Sequence, residues 1–213
     1  MSAWNQIHQH YANQDWSKIP SLFSWEALDF FPTSGKILEI GAWLGQDSRF
    51  FHSHGYDIYS TDFSSQVVEL NEQLSISEIS SGHYRAQVLD VSRDLSFLDD
   101  EIYDVIYTHL SLHYFSQSET QDILWELHRI LKKWWIIAVL LNSIKDPEYH
   151  SGLMLEKDYF LIRGIKKRFF IEKSAHLLFD PFFSSLLCDN QGETYKDSEK
   201  WIHNLIRYIW QKV

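Results

Sequence analysis

Cysteine, long apolar runs and positive charge are all scarce in this chain of 213 residues. Its single cysteine, Cys188, excludes an intramolecular disulfide and is typical of a reducing compartment. Cys188 lies in an apolar, strand-like run, so core packing is a plainer role for it than catalysis. The longest apolar run, residues 134–141, has eight residues, whereas a membrane-spanning helix needs about 20. We therefore expect a buried strand there and no membrane anchor.

The charge balance is acidic, with 19 Lys and Arg against 29 Asp and Glu and a net charge of -10. Nucleic-acid binding demands clustered basic side chains. The one dense basic cluster, within residues 163–168, is more simply a solvated face. The first 16 residues are polar and lack the basic start and apolar stretch of a signal peptide. We expect a soluble, cytoplasmic protein that binds neither nucleic acid nor a membrane.

The most informative stretch is residues 36–48, KILEIGAWLGQDS. It predicts a strand, a tight turn marked by Gly41 and Gly45, and the N-terminus of a helix. Such a turn directs backbone N–H groups and a helix dipole at one spot, which suits a nucleotide-like ligand. Two glycines after a strand are equally typical of a structural turn, so the stretch needs partners elsewhere.

Two acidic residues supply these partners. A second strand-like run, residues 57–61, ends at Asp62, where a carboxylate can accept hydrogen bonds from a ribose diol. Asp62 can also act as a helix cap, because Ser64 and Ser65 open a helical pattern behind it. A third run, residues 86–89, is followed by Asp90, which is either a second ligand or a plain turn residue.

These motifs occur in the order LEIGAWLGQDS, YSTD, VLDV, YDVIYTHLSLHYF, HRILK and NSIKDPEY. In this order they resemble the class I S-adenosylmethionine-dependent methyltransferases, and among them the small thiopurine and tellurite-resistance methyltransferases and their bacterial relatives. The resemblance extends from about Trp4 to near the C-terminus. It implies a three-layer, Rossmann-like α/β fold around a mostly parallel seven-stranded sheet whose last strand is antiparallel.

The apolar periodicity agrees with this fold. Strands are predicted at residues 36, 57, 84 and 135 and over 103–108, and a helix with an apolar stripe over 118–131. After a loop and a helix, two C-terminal strands are predicted over 182–188 and 202–210. Helices over 2–13 and 25–31 precede the first strand. We expect one domain, 1–213, made of a helical lid, 1–33, and a Rossmann-like core, 34–213.

The resemblance also implies S-adenosylmethionine as the cofactor. Glu39 would face the methionine moiety and Asp62 the ribose, with Asp90 and Val91 beside the adenine, while residues 108–110 form the floor under the sulfonium. Methyl transfer from a sulfonium is an in-line displacement that chiefly needs the reactants to be held close and aligned. The full set of predicted cofactor-binding residues is Glu39, Gly41, Trp43, Gly45, Asp62, Phe63, Asp90, Val91, Thr108 and Leu110.

His109 and His113 are the candidate catalytic residues, because both follow the fourth strand near the expected acceptor. A histidine near neutral pKa can remove the acceptor's proton. For His113, packing at the start of a helix on the sheet edge is the plainer role. No acid or third histidine stands at metal-ligand spacing, so no metal site is predicted.

Two tryptophan positions depart from the family pattern. Trp43 stands where the family has a glycine that lets the backbone approach the ligand, so its indole must point away from the ligand or stack on it. Residues 133–135, Lys-Trp-Trp, replace a glycine-containing turn before the fifth strand. Tryptophan is poor turn chemistry, and the pair is a candidate apolar surface.

These observations lead to three alternative hypotheses for the function. The leading one is a methyltransferase for a small-molecule acceptor, such as a thiol or a metalloid. The alternative is a methyltransferase-like protein that lost catalysis through Trp43 and binds a partner through residues 134–135. A nicotinamide-dependent enzyme is disfavoured, because the turn lacks the third glycine of G-x-G-x-x-G. The sequence leaves the acceptor and the oligomeric state open.

Overall fold

A computed structural model describes residues 19–93, 95–197 and 200–213. The predicted helix over 2–13, and most of the predicted lid, lie outside these ranges. Within them the chain forms ten strands: β1 (Lys36–Ile40), β2 (Asp57–Asp62), β3 (Tyr84–Val88), β4 (Tyr103–His109), β5 (Leu131–Leu141), β6 (Leu153–Glu156), β7 (Tyr159–Ile162), β8 (Ile165–Arg168), β9 (Ser184–Asp197) and β10 (Lys200–Gln211). The α-helices of the same ranges are α1 (Leu22–Leu28), α2 (Gln46–Ser53), α3 (Ser65–Leu74), α4 (Ile76–Ser80), α5 (Gln117–Ile130) and α6 (Glu172–Phe179).

Seven strands form the central sheet in the order β3-β2-β1-β4-β5-β10-β9. The first five are parallel, whereas β10 is antiparallel to both β5 and β9. Helix α5 shows how local sequence fixes an element. Ser116 and Glu119 form a capping box at its N-terminus, and Ile123, Leu124 and Leu127 lie on its buried face. The order of the sheet and its antiparallel strand confirm the predicted fold class.

Helices cover both faces of the sheet and make three layers. On one face, Phe23 of α1 and Phe51 of α2 pack with Ile37 and Tyr107. On the other, Leu124 of α5 and Phe179 of α6 belong to the cluster that contains Ile106. Both faces of β4 and β1 are buried, as expected for parallel strands with near-continuous apolar sequence. The carboxyl ends of these strands therefore meet at one edge.

The bounds of several helices and strands differ from those predicted from the sequence. The helix predicted over 25–31 is α1, Leu22–Leu28, because Ser21 caps it by accepting a hydrogen bond from Ser24 N–H. The fifth strand begins at Leu131 rather than near residue 135. The two C-terminal strands, predicted over 182–188 and 202–210, are longer and together form the hairpin β9–β10.

The region between β5 and α6 was predicted as a loop, and this prediction was wrong. It contains a second sheet of three antiparallel strands, β6-β7-β8. Tyr159 of β7 donates a hydrogen bond to the carbonyl of Tyr114, 3.0 Å away. The small sheet thus supports the segment that follows β4.

None of the helices in the described ranges is long and apolar enough to cross a membrane.

Candidate functional site

A cavity of about 490 Å³ opens at the carboxyl ends of β1, β2 and β4. Its walls come from the turn after β1, the ends of β2 and β3, residues 109–111 and 114–115 at and after the end of β4, and residues 19–22 at the start of α1. Thr194 of β9 completes the wall. Ligands of open α/β sheets bind at this edge, because the connections diverge there on either side of the sheet.

The turn after β1 has left-handed backbone at Gly41 (φ 72°), Trp43 (φ 48°) and Gly45 (φ 74°). A Cβ atom added to Gly41 would lie 1.9 Å from Ser111 Oγ, so the absence of a side chain allows this turn to approach the segment after β4. Gly45 has a different role, since it precedes α2 and packs against Asn71 and does not line the cavity. Trp43 does line the cavity, at the middle of the turn.

Asp62 connects β2 to the turn. One of its oxygens accepts from the N–H of Trp43, 3.2 Å away, and the other from the N–H of Ser64, 3.0 Å away. Burial raises the pKa of Asp62, and these backbone hydrogen bonds act in the opposite direction. Ser64 is the N-cap residue of α3. Asp62 therefore lines the cavity and also organises the start of a helix.

Glu39 lies in the cavity wall but is almost wholly buried. Burial, and next the nearby Asp47, hold the pKa of Glu39 well above its usual value. Ser48 of α2 donates a hydrogen bond to Glu39, and the Ser48 hydroxyl lies 2.7 Å from that of Ser60. Asn71 of α3 donates in turn to Ser60, at 2.8 Å. A polar chain thus extends from the cavity behind the sheet edge and fixes the orientation of Glu39.

Asp90, Val91 and Phe63 line the other end of the cavity. Asp90 accepts hydrogen bonds from the N–H of Ser92 at 3.1 Å and from its hydroxyl at 2.6 Å, and pairs with Arg93 at 3.2 Å. Burial acts to raise the pKa of Asp90, but these hydrogen bonds and the Arg93 charge outweigh it and hold the pKa below its usual value. Asp90 is thus an ionised turn residue that also faces the cavity.

His109, the last residue of β4, lies in the wall beside Leu110. Its Nε2 atom lies 3.1 Å from the hydroxyl oxygen of Thr194. Burial lowers the pKa of His109, partly offset by the charge of Asp47, so the imidazole is neutral near pH 7. This is the protonation state that a general base needs.

Two other predicted residues do not line the cavity. His113 is buried in the short 3₁₀ helix Leu112–Tyr114, with its ring centroid 4.1 Å from that of Tyr114. Its side chain is thus packed beside Tyr114 and is not part of the cavity wall. Thr108 is fully buried in β4 and does not form the floor of the cavity, which at this strand is made by His109 and Leu110. In β4 the neighbouring side chains of Thr108 and His109 point to opposite faces, and Leu110, which follows the strand, interrupts this alternation with left-handed backbone (φ 55°).

Sequence reasoning missed a cluster that closes the cavity from the side of α1. Asp47 accepts hydrogen bonds from the N–H and the hydroxyl of Ser21, both at 2.7 Å, and from the hydroxyl of Tyr107 at 2.8 Å. The only local signal was an acid in the first turn of α2. Thr194 was missed as well, because its place in the wall depends on the length of β9.

Comparison with known proteins supplies the wider context. Residues 37–134 match the model of a family described as methyltransferase domain. No curated protein matches the chain. A solved S-adenosylmethionine-dependent methyltransferase from Methanosarcina mazei is 20% identical, with a TM-score of 0.72 over 88% of this chain and 97% of that one.

Two further solved structures are similar over nearly the whole chain. The first is the Burkholderia thailandensis 1,6-didemethyltoxoflavin-N1-methyltransferase, with 1,6-didemethyltoxoflavin and S-adenosylhomocysteine bound; it is 14% identical, with a TM-score of 0.73 over 99% of this chain and 84% of that one. The second is an S-adenosylmethionine-dependent methyltransferase from Clostridium acetobutylicum, 13% identical, with a TM-score of 0.68 and 99% coverage of both chains. At these identities the likeness concerns the fold.

Proposed function

We propose that this chain, which has the Rossmann-like methyltransferase fold and matches a methyltransferase domain over residues 37–134, is an S-adenosylmethionine-dependent methyltransferase for a small-molecule acceptor. One observation carries the proposal: Glu39, Asp62 and His109, at the ends of three neighbouring parallel strands, line the same cavity. We also propose that the acceptor is a thiol or a metalloid, as the resemblance implies.

The residues present fit this cofactor. Its ammonium and sulfonium groups are cationic and its ribose carries two hydroxyl donors, and the wall offers the carboxylates of Glu39 and Asp62 to such groups. Gly41 lets the turn after β1 pack closely against Ser111, which brings the two segments together at the wall. Asp90 and Val91, with the half-exposed Phe63, offer an acceptor and apolar surface to a planar base.

When bound, S-adenosylmethionine supplies a methyl group on a positively charged sulfur, so that the acceptor's electron pair forms the new bond to carbon while the carbon–sulfur pair stays on sulfur. The residues of the chain itself position the polar groups of the site and limit the access of water to the cavity. The hydrogen bonds of Asp62 to Trp43 and Ser64 hold its carboxylate at the end of β2. Residues 19–22, held by Asp47, cover one side of the cavity and limit its exposure to water.

His109 is the proposed general base. Its neutral imidazole lies in the wall, next to Leu110 and within 3.1 Å of the Thr194 hydroxyl. It can take a proton from an acceptor atom and release it to solvent after transfer. The small sheet supports this side of the cavity through the hydrogen bond of Tyr159 to Tyr114.

Calorimetric titration of the purified protein with S-adenosylmethionine and S-adenosylhomocysteine tests the proposal, with NADH as the control ligand. We expect micromolar binding of the first two and none of NADH. A folded protein that binds none of the three would contradict the proposal. It would favour the alternative of a non-catalytic, partner-binding protein, for which the half-exposed Trp134 is the candidate contact.

A further inference from the structure

The charges of the cavity wall are all of one sign. Among the described residues that line it, Glu39, Asp47, Asp62 and Asp90 are acidic, and none is lysine or arginine. Two arginines act on these acids from outside the wall: Arg93 pairs with Asp90 at 3.2 Å, and the charge of Arg49 acts to lower the pKa of Glu39, though burial outweighs it. A ligand in this cavity thus meets acidic side chains, of which Asp90 is paired with Arg93, and no lysine or arginine among the described residues of the wall.

The wall around His109 is apolar. Leu22, Leu110 and Phe115 lie in it, together with Ile19 and Pro20. Hydroxyls are the other polar groups here, from Ser21, Ser111, Tyr114 and Thr194. Burial raises the pKa of Tyr114 far above the physiological range, so its phenol is neutral. The imidazole of His109 adds no positive charge near pH 7 either, because burial lowers its pKa.

We infer that the acceptor is an electrically neutral, largely apolar molecule with a proton-bearing nucleophilic atom, and that carboxylate, phosphate and oxyanion acceptors are excluded. This inference rests on the proposed function and narrows it, since a neutral thiol fits the wall and an anionic metalloid oxide does not. The cofactor would bring cationic charge of its own when bound, and no lysine or arginine among the described residues of the wall adds to it. An anionic acceptor would have to lose its water in front of apolar side chains, and the described part of the wall offers it no lysine or arginine to pair with.

The closing experiment uses pairs of probes that differ only in charge. The pair 4-(mercaptomethyl)benzamide and 4-(mercaptomethyl)benzoate is nearly isosteric and carries the same thiol, and the same amide and carboxylate pair is prepared on a phenethyl and a naphthylmethyl scaffold. Affinities are measured by ligand-observed NMR in the presence of saturating S-adenosylhomocysteine, so that no turnover occurs. Methylation rates with S-adenosylmethionine are the second readout.

We expect each amide to bind at least about tenfold more tightly than its carboxylate partner and to be methylated faster, given the strength of charge interactions near a protein surface. Leu22→Lys, which adds a cation to the wall, is expected to narrow that ratio by about tenfold, whereas the neutral control Leu22→Met leaves it unchanged. Equal or tighter binding of the carboxylates would overturn the inference. So would failure of every amide to bind, because an open apolar wall then accepts no neutral ligand.

The first titration separates this inference from the proposed function. If the wild-type protein does not bind S-adenosylhomocysteine, the proposed function fails before any acceptor probe is added, and the inference falls with it. If S-adenosylhomocysteine binds and the probes show no charge preference, the methyltransferase assignment stands and only the acceptor class is refuted.

Discussion

The carboxylate of Asp62 at the end of β2 accepts a hydrogen bond from the backbone N–H of Trp43, 3.2 Å away in the turn after β1. The same side chain thus faces the cavity and holds the turn that shapes it. Asp62→Ala removes both functions, and hydrogen bonds to charged groups contribute about 1.5 to 3 kcal/mol each. We expect the affinity for S-adenosylhomocysteine to fall by about tenfold or more in calorimetric titration. Asp122→Ala, on the exposed face of α5, is the matched control, and an unchanged affinity in Asp62→Ala would count against the assigned site.

Trp43 has φ 48°, a conformation that costs a residue with a side chain about 1 kcal/mol. Trp43→Gly relieves this cost but removes the indole from the cavity wall. If the chain is an active enzyme, wild type and variant both bind S-adenosylhomocysteine, within about tenfold of each other. Binding by the variant alone would support loss of catalysis through Trp43. Trp125→Ala, at an exposed tryptophan of α5, controls for the general effect of losing an indole.

His109 has a pKa below its usual value of about 6.5 because it is buried. As the pH falls through this lowered pKa the imidazole becomes charged, and we expect kcat/KM to fall with it, with a midpoint below pH 6.5. His109→Gln should reduce kcat/KM by about 100-fold and abolish this acid limb. His113→Gln, outside the cavity wall, should retain the limb. Loss of the limb in His113→Gln together with its persistence in His109→Gln would reverse the assignment.

The sheet could be predicted because its signals are local. The apolar runs of β1 and β5 and the stripe of α5 identify elements without knowledge of their neighbours. The common location of Glu39, Asp62 and His109 could also be predicted, because parallel strands bring the residues at their carboxyl ends to one edge of the sheet. The boundaries were less accurate, since caps such as Ser21 and strand extensions such as that of β9 depend on tertiary contacts.

The features that the sequence did not predict depend on contacts between segments that are far apart in the chain. The Ser21 to Asp47 and Asp47 to Tyr107 contacts bridge separations of 26 and 60 residues. The small sheet was missed because its strands have four residues each, and β6 exposes all of its residues, including Leu153 and Met154, so no alternating pattern indicates a strand.

Trp134 illustrates a local rule that tertiary contacts override. It has φ 69°, where glycine is the usual residue. Its N–H donates to the carbonyl of Lys212 at 2.7 Å, and the Gln211 side chain donates to the Trp134 carbonyl at 2.7 Å. Trp134 thus lies within β5 and not in the turn expected there, and its hydrogen bonds to Gln211 and Lys212 hold a backbone conformation that a side chain disfavours.

Replacing Glu39 by glutamine should raise the stability of the protein and lower its affinity for S-adenosylhomocysteine. Its pKa is raised by burial, so the folded state loses stability as the pH rises from about 4.5, the usual glutamate value, toward the raised pKa. Glu39→Gln removes this loss. We expect the variant to be more stable than wild type by about 1 kcal/mol at pH 8, with the difference shrinking toward pH 5.

The same variant should bind S-adenosylhomocysteine about tenfold more weakly, because the carboxylate is gone. Thermal unfolding at both pH values and calorimetry provide the two measurements. Glu69→Gln, at an exposed site on α3, is the control and should change neither. A Glu39→Gln protein with full affinity would remove Glu39 from the cofactor site.

Asp47 should contribute to both stability and ligand affinity, because it is buried and is the shared acceptor for Ser21 and Tyr107. Asp47→Ala leaves the Ser21 N–H and the two hydroxyls without this acceptor, and we expect a loss of about 2 to 3 kcal/mol in the free energy of unfolding. Ser21→Ala also removes the cap of α1 and should cost about 1 kcal/mol.

A double-mutant cycle with Ser21→Ala and Asp47→Ala isolates the contact that holds residues 19–22 over the cavity. We expect a coupling energy of about 1 kcal/mol in urea unfolding, and a weaker S-adenosylhomocysteine affinity in each single variant that the double variant does not weaken by the full product. Ser65→Ala, exposed at the start of α3, should combine additively with Asp47→Ala. Additivity in the Ser21 cycle as well would mean that Asp47 supports the fold of α2 without positioning the segment that covers the cavity.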